Sequence, residues 1–387
     1  MRVLTTDSTR ISGLSVIRGL AAEGHEAMGA DDRSSPFGLR SRHVATPGYL
    51  LPRRRSPEFL PALITLLREL RPDVFIPGAC IAAAVQARSE ILALSRSLLP
   101  EPEAFRAVHD KEELLKRCAA LRIPTPERFT FDEGMLFLRE RCPGQRLVVK
   151  PRLDFGGGEG VHFIREPGEL ERLYPELSQR HGGVVVTEYV PGPVHHLVAA
   201  HLLFDEESRL IGSFLLRKYR IWPAEVGVTV AAVSVHEPEL VEQLMPLFEE
   251  VGWRGPAEAE LKIDERDGRA KVLEINPRFS GAVHFPISCG VNLPGLLVRA
   301  AMGERLPLAS LDSYRAGTRY LSTGRWSRAV LTELREAEGR RREVLARAFA
   351  ERGRPRVSSE YTLTDPGPLL AKLLHPLQRD RSQAMDA

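Results

Sequence analysis

Lysine is nearly missing from this sequence. Of its 54 basic residues only seven are lysines (Lys111, Lys116, Lys150, Lys218, Lys262, Lys271 and Lys372), and the rest are arginine. Arginine therefore carries the surface charge, and each remaining lysine marks a place that favours a compact, flexible point charge over a planar fork. Cysteine is also scarce: Cys80, Cys118, Cys142 and Cys289 show no CxxC spacing and no accompanying histidine cluster. That argues against a disulfide framework or a zinc site and fits a reducing cytoplasm. The start, MRVLTTDSTR, lacks an apolar signal segment, and no apolar run reaches membrane-span length. The expectation is a cytoplasmic protein with no membrane partner. The formal charge of +3 supplies no field for nucleic acid. The first strand–helix turn reads DSTRISGLS rather than GxGxxG, against a nicotinamide-dependent oxidoreductase. Internal repeats and low-complexity tracts are absent.

What is present is an ordinary globular composition, 43% hydrophobic and 27% charged over 387 residues, enough for two or three domains. Residues 2–6, 25–32 and the end of 57–78 read as short strands, separated by helices at 15–25 and the start of 57–78. Strands alternating with helices predict a parallel sheet over about 1–100. The pattern then changes. Residues 103–126 read as one helix with a proline stop. Residues 147–151, 161–164 and 184–190 read as strands, followed by longer ones at 197–205, 210–220 and 226–235 in an antiparallel sheet. Residues 237–252 read as a helix, and 257–264 with 270–279 as a hairpin. The chain beyond about 310 reads as helical with a polar tail. The class is α/β, with α+β character in the centre. Arg53, Arg54 and Arg55 read as a solvated loop, and Cys289 as a core residue with nothing nearby to activate it.

Two stretches carry chemistry. In VVKPRLDFGGGEGVHFI (148–164) four glycines separate two strands. Such a loop lets backbone N–H groups approach phosphates that a side chain would block. No GK[ST] follows, so it is not a Walker A loop, and a hairpin rather than a helix comes next. The form is that of a flap, or of a plain glycine-rich hairpin. The second stretch is AEAELKIDERDGRAKVLEINPRFSG (257–281). Glu274 and Asn276, two apart on a strand, share a face, and Glu260 can lie opposite them across the hairpin. Two carboxylates and an amide oxygen make a hard-oxygen set suited to Mg²⁺ with substrate phosphates. Two solvated glutamates are the alternative, which the glycine loop and the upstream lysines disfavour.

In this order and spacing, these stretches and HDKEELLKRCAALRIPTP (109–126), TEYVPGPVHH (187–196) and SCGVNLPGLLVRAAMGE (288–304) resemble the ATP-grasp superfamily. The resemblance is to its carboxylate–amine ligases related to carbamoyl phosphate synthetase and biotin carboxylase, and it covers about 1–310. It implies a pre-ATP-grasp domain at 1–100 and an ATP-grasp domain at 101–310, with a small lobe at about 101–187 and a large lobe at about 188–310. A C-terminal helical extension would occupy 311–387.

The resemblance also implies roles. Lys111 and Lys150 would be the two nucleotide lysines, and Gly156, Gly157, Gly158 and Gly160 the flap over the β- and γ-phosphates. Glu188, Tyr189 and Val190 would form the hinge whose backbone holds adenine. The family begins that segment with an acid, whereas this chain has Thr187 in the closest register. His195 stands where an acid often binds ribose; a loop histidine without a ligand is the alternative. Glu260, Glu274 and Asn276 would be metal ligands, Arg278 the arginine that stabilises the reacting phosphate and the tetrahedral intermediate, and Arg217 and Lys218 the acceptor side. The implied cofactors are ATP and Mg²⁺, or Mn²⁺. The implied partners are small-molecule carboxylate and amine substrates and a second copy of the chain in a homodimer. The implied reaction is ADP-forming amide synthesis through an acyl phosphate, on an amino acid or small peptide. A carboxylating or carbamoylating enzyme and a non-catalytic ATP-binding module are the alternatives.

Overall fold

In the computed structural model four short strands open the chain: β1 (Arg2–Thr5), β2 (Glu26–Asp31), β3 (Tyr49–Leu50) and β4 (Val74–Ile76). They form a parallel sheet in the order β3-β2-β1-β4. Parallel neighbours need crossovers, which the helices Ile11–Ala22 and Phe59–Leu70 provide. The second helix buries Phe59, Leu63, Ile64, Leu66 and Leu67 and ends at Arg71 in the left-handed region (φ 45°). The structure describes residues 1–374, apart from 9, 33–36, 46–47, 141–143, 154–157, 338, 352, 354–355, 359–361 and 363. Cys142 and the polar tail therefore lie outside the described residues.

A second, antiparallel sheet contains β5 (Arg128–Phe129), β6 (Leu147–Pro151), β7 (His162–Ile164) and β8 (Val184–Glu188), in the order β5-β8-β6-β7. Leu147, Val149, Ile164 and Val186 pack with Leu138, Leu170 and Leu177 of the covering helices. Strand alternation leaves Val148 and Lys150 on the other face.

The third sheet has seven strands: β9 (Leu197–Phe204), β10 (Leu210–Trp222), β11 (Val228–Val235), β12 (Gly255–Ile263), β13 (Ala270–Asn276), β14 (Arg319–Leu321) and β15 (Arg356–Ser358). Their order is β13-β12-β9-β10-β11-β14-β15. One face is apolar: Val198, Ala200, Leu202, Leu215, Ala259 and Leu261 pack against Leu244, Phe248 and Trp253. The opposite face presents His201, Lys218, Glu258, Glu260, Glu274 and Asn276. The same alternation that makes one face a core makes the other a site.

Three of the segments read from the sequence fold differently. Residues 103–126 form two helices, Pro102–His109 and Lys111–Ala120, because the Asp110 side chain accepts from the Glu112 N–H and caps the second. Residues 237–252 also divide, into Pro238–Glu242 and Met245–Val251; Pro246 has no N–H to continue the first helix. The C-terminal part has the expected helices Thr323–Glu336, Arg341–Glu351 and Gly367–Leu374. It also adds β14 and β15 to the central sheet, β14 pairing with β11 at Ala231↔Leu321. Cys289 packs with Phe285, Tyr314 and Tyr320. Arg54 is not solvated: its guanidinium donates to Asp32 and Asp7. No helix among the described residues is long and apolar enough to cross a membrane.

Candidate active site

A cavity of about 470 Å³ separates the second sheet from the polar face of the seven-stranded sheet, within the range of small-molecule sites. Its acidic floor comes from the hairpin β12–β13. Glu260 pairs directly with Glu274, and Glu258 with Asn276, so all four side chains share one face and adjacent pairs stand about 5 Å apart at Cβ.

Each acid meets a specific cation. Lys218 Nζ donates to both oxygens of Glu260, at 2.7 and 2.6 Å. Lys111 Nζ lies 3.3 Å from Glu274 Oε2. Lys150 Nζ donates to the Leu273 carbonyl at 2.8 Å. Lys111 and Lys150 are placed together because the Lys111 N–H donates to the carbonyl of Arg152, two residues past Lys150. Asp110, which caps the Lys111 helix, accepts from the Arg152 guanidinium at 2.6 Å.

Burial sets the protonation of this cluster. It raises the Glu260 carboxyl to about 7 against the pull of Lys218, and the nearby charges of Glu258 and Glu274 add to the rise. Burial acts on Glu274 in the same direction, but Lys111 and Lys150 outweigh it and hold that carboxyl down to about 2. Burial lowers the Lys150 ammonium to about 8, with Glu274 opposing and Lys111 assisting. The result is one firmly ionised carboxylate, one poised near neutrality and one lysine that titrates unusually low.

Glu258 and His201 escaped the sequence reading. Burial raises the Glu258 carboxyl, and Lys218 and Arg278 pull against it. His201 Nε2 lies 3.9 Å from Glu258 Oε1, and burial, aided by Lys218, lowers its ring to about 3, so it is neutral. The i, i+2 spacing of Glu258 and Glu260 in EAE carried the signal for the first. His201 had none, because it reaches the site only through the pairing of β9 with β12.

The nucleotide candidates occupy the other wall. Gly158 lines the cavity at φ 81°, and a Cβ there would overlap the Val226 carbonyl. Gly160, at φ 74°, packs on Pro151 and His181. Gly156 and Gly157 lie outside the described residues. Glu188, Tyr189 and Val190 all line the cavity. The Glu188 carboxylate is engaged by Lys271 at 2.5 Å and Arg266 at 2.6 Å, so only its backbone is left for a ligand. The Tyr189 ring is flanked by the Arg146 guanidinium at 3.7 Å and Lys262 Nζ at 4.6 Å.

Arg278 lines the cavity beside Asn276 and Ser280. Arg217 and His195 do not join this group. Arg217 has the parity of Leu215, opposite to Lys218; its guanidinium binds Glu237 and donates to the His195 carbonyl. The His195 ring rests edge-on to His196, 5.1 Å between centroids. Strand alternation turns Arg217 away from the cavity face, and neither Arg217 nor His195 lines the cavity.

Glu260, Glu274 and Asn276 share one face of the hairpin, and two carboxylates with an amide oxygen are a donor set that fits Mg²⁺. Among the described residues no group of three or more His, Cys, Asp or Glu side chains could hold a metal ion.

A family model described as "ATP-grasp in the biosynthetic pathway with Ter operon" matches residues 227–320. Among curated proteins, the D-aspartate ligase of Enterococcus faecium is 21% identical over 206 residues, 49% of this chain and 48% of that one. The biotin carboxylase of Nostoc sp. is 24% identical over 229 residues, 54% and 49%. The chain thus spans about half the length of the curated relatives it matches. Among solved structures, the biotin carboxylase domain of Hydrogenobacter thermophilus 2-oxoglutarate carboxylase, in complex with MgADP and bicarbonate, superposes with a TM-score of 0.65 at 19% identity. That match covers 82% of this chain and 73% of the other. N5-carboxyaminoimidazole ribonucleotide synthetase of Thermotoga maritima gives 0.56 at 17% identity, covering 81% and 78%. The fold these matches share is the ATP-grasp fold. The chain has that fold, and its residues 227–320 match an ATP-grasp family model.

Proposed function

We propose that the protein is an ADP-forming carboxylate–amine ligase that uses ATP and Mg²⁺ to join an amino acid or small peptide through an amide bond. One observation carries the reading: Glu260 and Glu274, paired across one hairpin, face Lys111, Lys150 and Lys218 in a cavity that also contains Arg278. A relative named as a D-aspartate ligase supports an amino acid as one partner. The reading divides the chain into a pre-ATP-grasp domain (1–100), an ATP-grasp domain (101–310) and a C-terminal extension (311–387), working in the cytoplasm as a homodimer.

Lys111 and Lys150 bind and orient the ATP phosphates. The glycine loop around Gly158 closes over them, and the Tyr189–Val190 backbone holds the adenine edge. Glu260, Glu274 and Asn276 would hold Mg²⁺, which when bound neutralises phosphate charge. A substrate carboxylate oxygen attacks the γ-phosphorus as the bond to the β-phosphate oxygen breaks and ADP departs. An amine nitrogen then attacks the acyl carbon, the carbon–oxygen bond to phosphate breaks, and the nitrogen gives up a proton. Arg278 stabilises the oxyanion between those events. Catalysis here is largely positioning and electrostatics, and the closed loop keeps water from the acyl phosphate.

The test is incubation with ATP, Mg²⁺ and pooled amino acids and peptides, following nucleotides by chromatography and products by mass. ADP, phosphate and an amide are expected. AMP with pyrophosphate would overturn the acyl-phosphate route, and ADP release that requires bicarbonate would assign a carboxylating enzyme instead.

A further inference from the structure

The cavity does not end at the acidic hairpin. Its lining continues across the sheet to Lys218 and Arg220 on β10, Tyr320 on β14, and Arg325, Glu333 and Arg347 of the C-terminal helices. From β13 to β14 the strand order crosses five steps, about 24 Å at about 4.8 Å each. The C-terminal segment, which the motifs leave unexplained, thus forms the far wall of the proposed active site.

The charges on that wall can be counted. Arg220 is buried; its guanidinium pairs with Glu351 at 3.0 Å and with Glu333. Glu333 also pairs with Arg347, and the Trp326 indole N–H donates to Glu351 at 2.6 Å. Two arginines and two glutamates therefore cancel, locking both helices to β10. At the other end, Lys218 is matched by Glu260, and Glu225, on the loop between β10 and β11, by Arg146 at 2.7 Å. Arg325 remains. It is half-buried and lines the cavity, and no carboxylate of the described residues pairs with it. Tyr320, buried and stacked on Phe285, lies in the same wall.

A half-buried guanidinium facing a cavity without a counter-ion is a fork for a ligand's planar anion. The reacting carboxylate is already assigned to the Arg278 end. The geometry points to Arg325 as the docking residue for the non-reacting carboxylate of an amino acid that enters as the amine substrate. The C-terminal helices thereby select an amino acid over a simple amine. This inference rests on the ligase reading.

Binding and turnover separate the two. Saturation-transfer NMR on the full chain with ADP and Mg²⁺ would compare a pool of the twenty amino acids with the corresponding α-amides, in wild type, Arg325→Gln and Arg325→Lys. Arg325→Gln should weaken at least one free amino acid by about 10- to 100-fold, the value of a charge-assisted contact. ADP affinity and the amides should change little, and Arg325→Lys should restore much of the loss. Unchanged amino-acid affinities in Arg325→Gln, equal loss for acids and amides, or no amino-acid binding by wild type would each overturn the assignment. Arg325-dependent binding with no ADP formed from ATP would preserve the subsite and overturn the ligase reading. ADP formation indifferent to Arg325 would do the reverse.

Discussion

Lys218 Nζ spans both carboxylate oxygens of Glu260 in a buried pair on neighbouring parts of one sheet face. Burial lifts the Glu260 carboxyl to about 7 even with this ammonium in contact, so removing the lysine must raise it further. A carboxyl whose folded value exceeds its unfolded 4.5 makes the folded state bind more protons, and stability then falls as pH rises through that window. The wild-type decline should level off above about pH 7, where its carboxyl ionises, while Lys218→Met keeps losing stability, so the variant should melt progressively lower than wild type from about pH 7 upward, approaching the about 3–5 kcal/mol cost of an orphaned buried charge. Added Mg²⁺ should recover more stability in the variant than in wild type at pH 8. Thermal melts across pH test this, and parallel pH profiles would refute it.

Glu274 is the acid that stays ionised, held to about 2 by Lys111 and Lys150 against its burial. Glu274→Gln removes that charge from the proposed metal set, a loss of several kcal/mol of charge stabilisation. ADP formation should fall by at least about 100-fold while the variant still melts cooperatively. Retention of more than a tenth of the rate would exclude Glu274 as a metal ligand.

Lys150 titrates at about 8 because it is buried. If it must be protonated to hold phosphates, ATP affinity should decline above pH 8 by about tenfold per unit. Lys150→Arg, whose charge does not titrate in this range, should flatten the profile. Equilibrium dialysis of labelled ATP from pH 7 to 9.5 measures it, and a flat wild-type curve would remove Lys150 from the phosphates.

Gly158 sits at φ 81° against the Val226 carbonyl. Gly158→Ala adds both backbone strain, about 1–3 kcal/mol, and an overlap on the loop that faces the flap. The expected outcome is a raised KM for ATP with reduced kcat and only a small change in melting temperature. A variant with wild-type kinetics would mean that this contact does not accompany closure.

Arg220 ties β10 to the helices Thr323–Glu336 and Arg341–Glu351 through Glu333 and Glu351. Arg220→Met leaves Glu351 buried without its partner and should cost about 3–5 kcal/mol. Limited proteolysis should then cut first in the C-terminal helices; protection equal to wild type would show that the network does not hold them.

Many local elements and the shared face of the hairpin's acidic residues were legible in the sequence. Alternation separated Leu147 and Val149 from Lys150, and i, i+2 spacing placed Glu274 beside Asn276, because a strand's period of two is a local property. The scarcity of lysine marked seven positions, of which Lys111, Lys150, Lys218 and Lys262 line the cavity and Lys116 and Lys271 do not. Local pattern also failed for local reasons: a capping aspartate and a proline each divided a helix that periodicity joined.

Tertiary structure alone decided which side chains meet. Glu260 faces Glu274 by strand register, and His201 reaches Glu258, 57 residues later in the chain, because β9 pairs with β12. Arg217 and Lys218 are adjacent in sequence, yet the pleat sends one behind the sheet and the other into the cavity. No local pattern announced that β14 would extend the sheet and bring Arg325 to the far wall. Composition and periodicity determine what each segment forms; the long-range pairing of strands, stabilised by burial that no single segment achieves alone, determines which charges share a site.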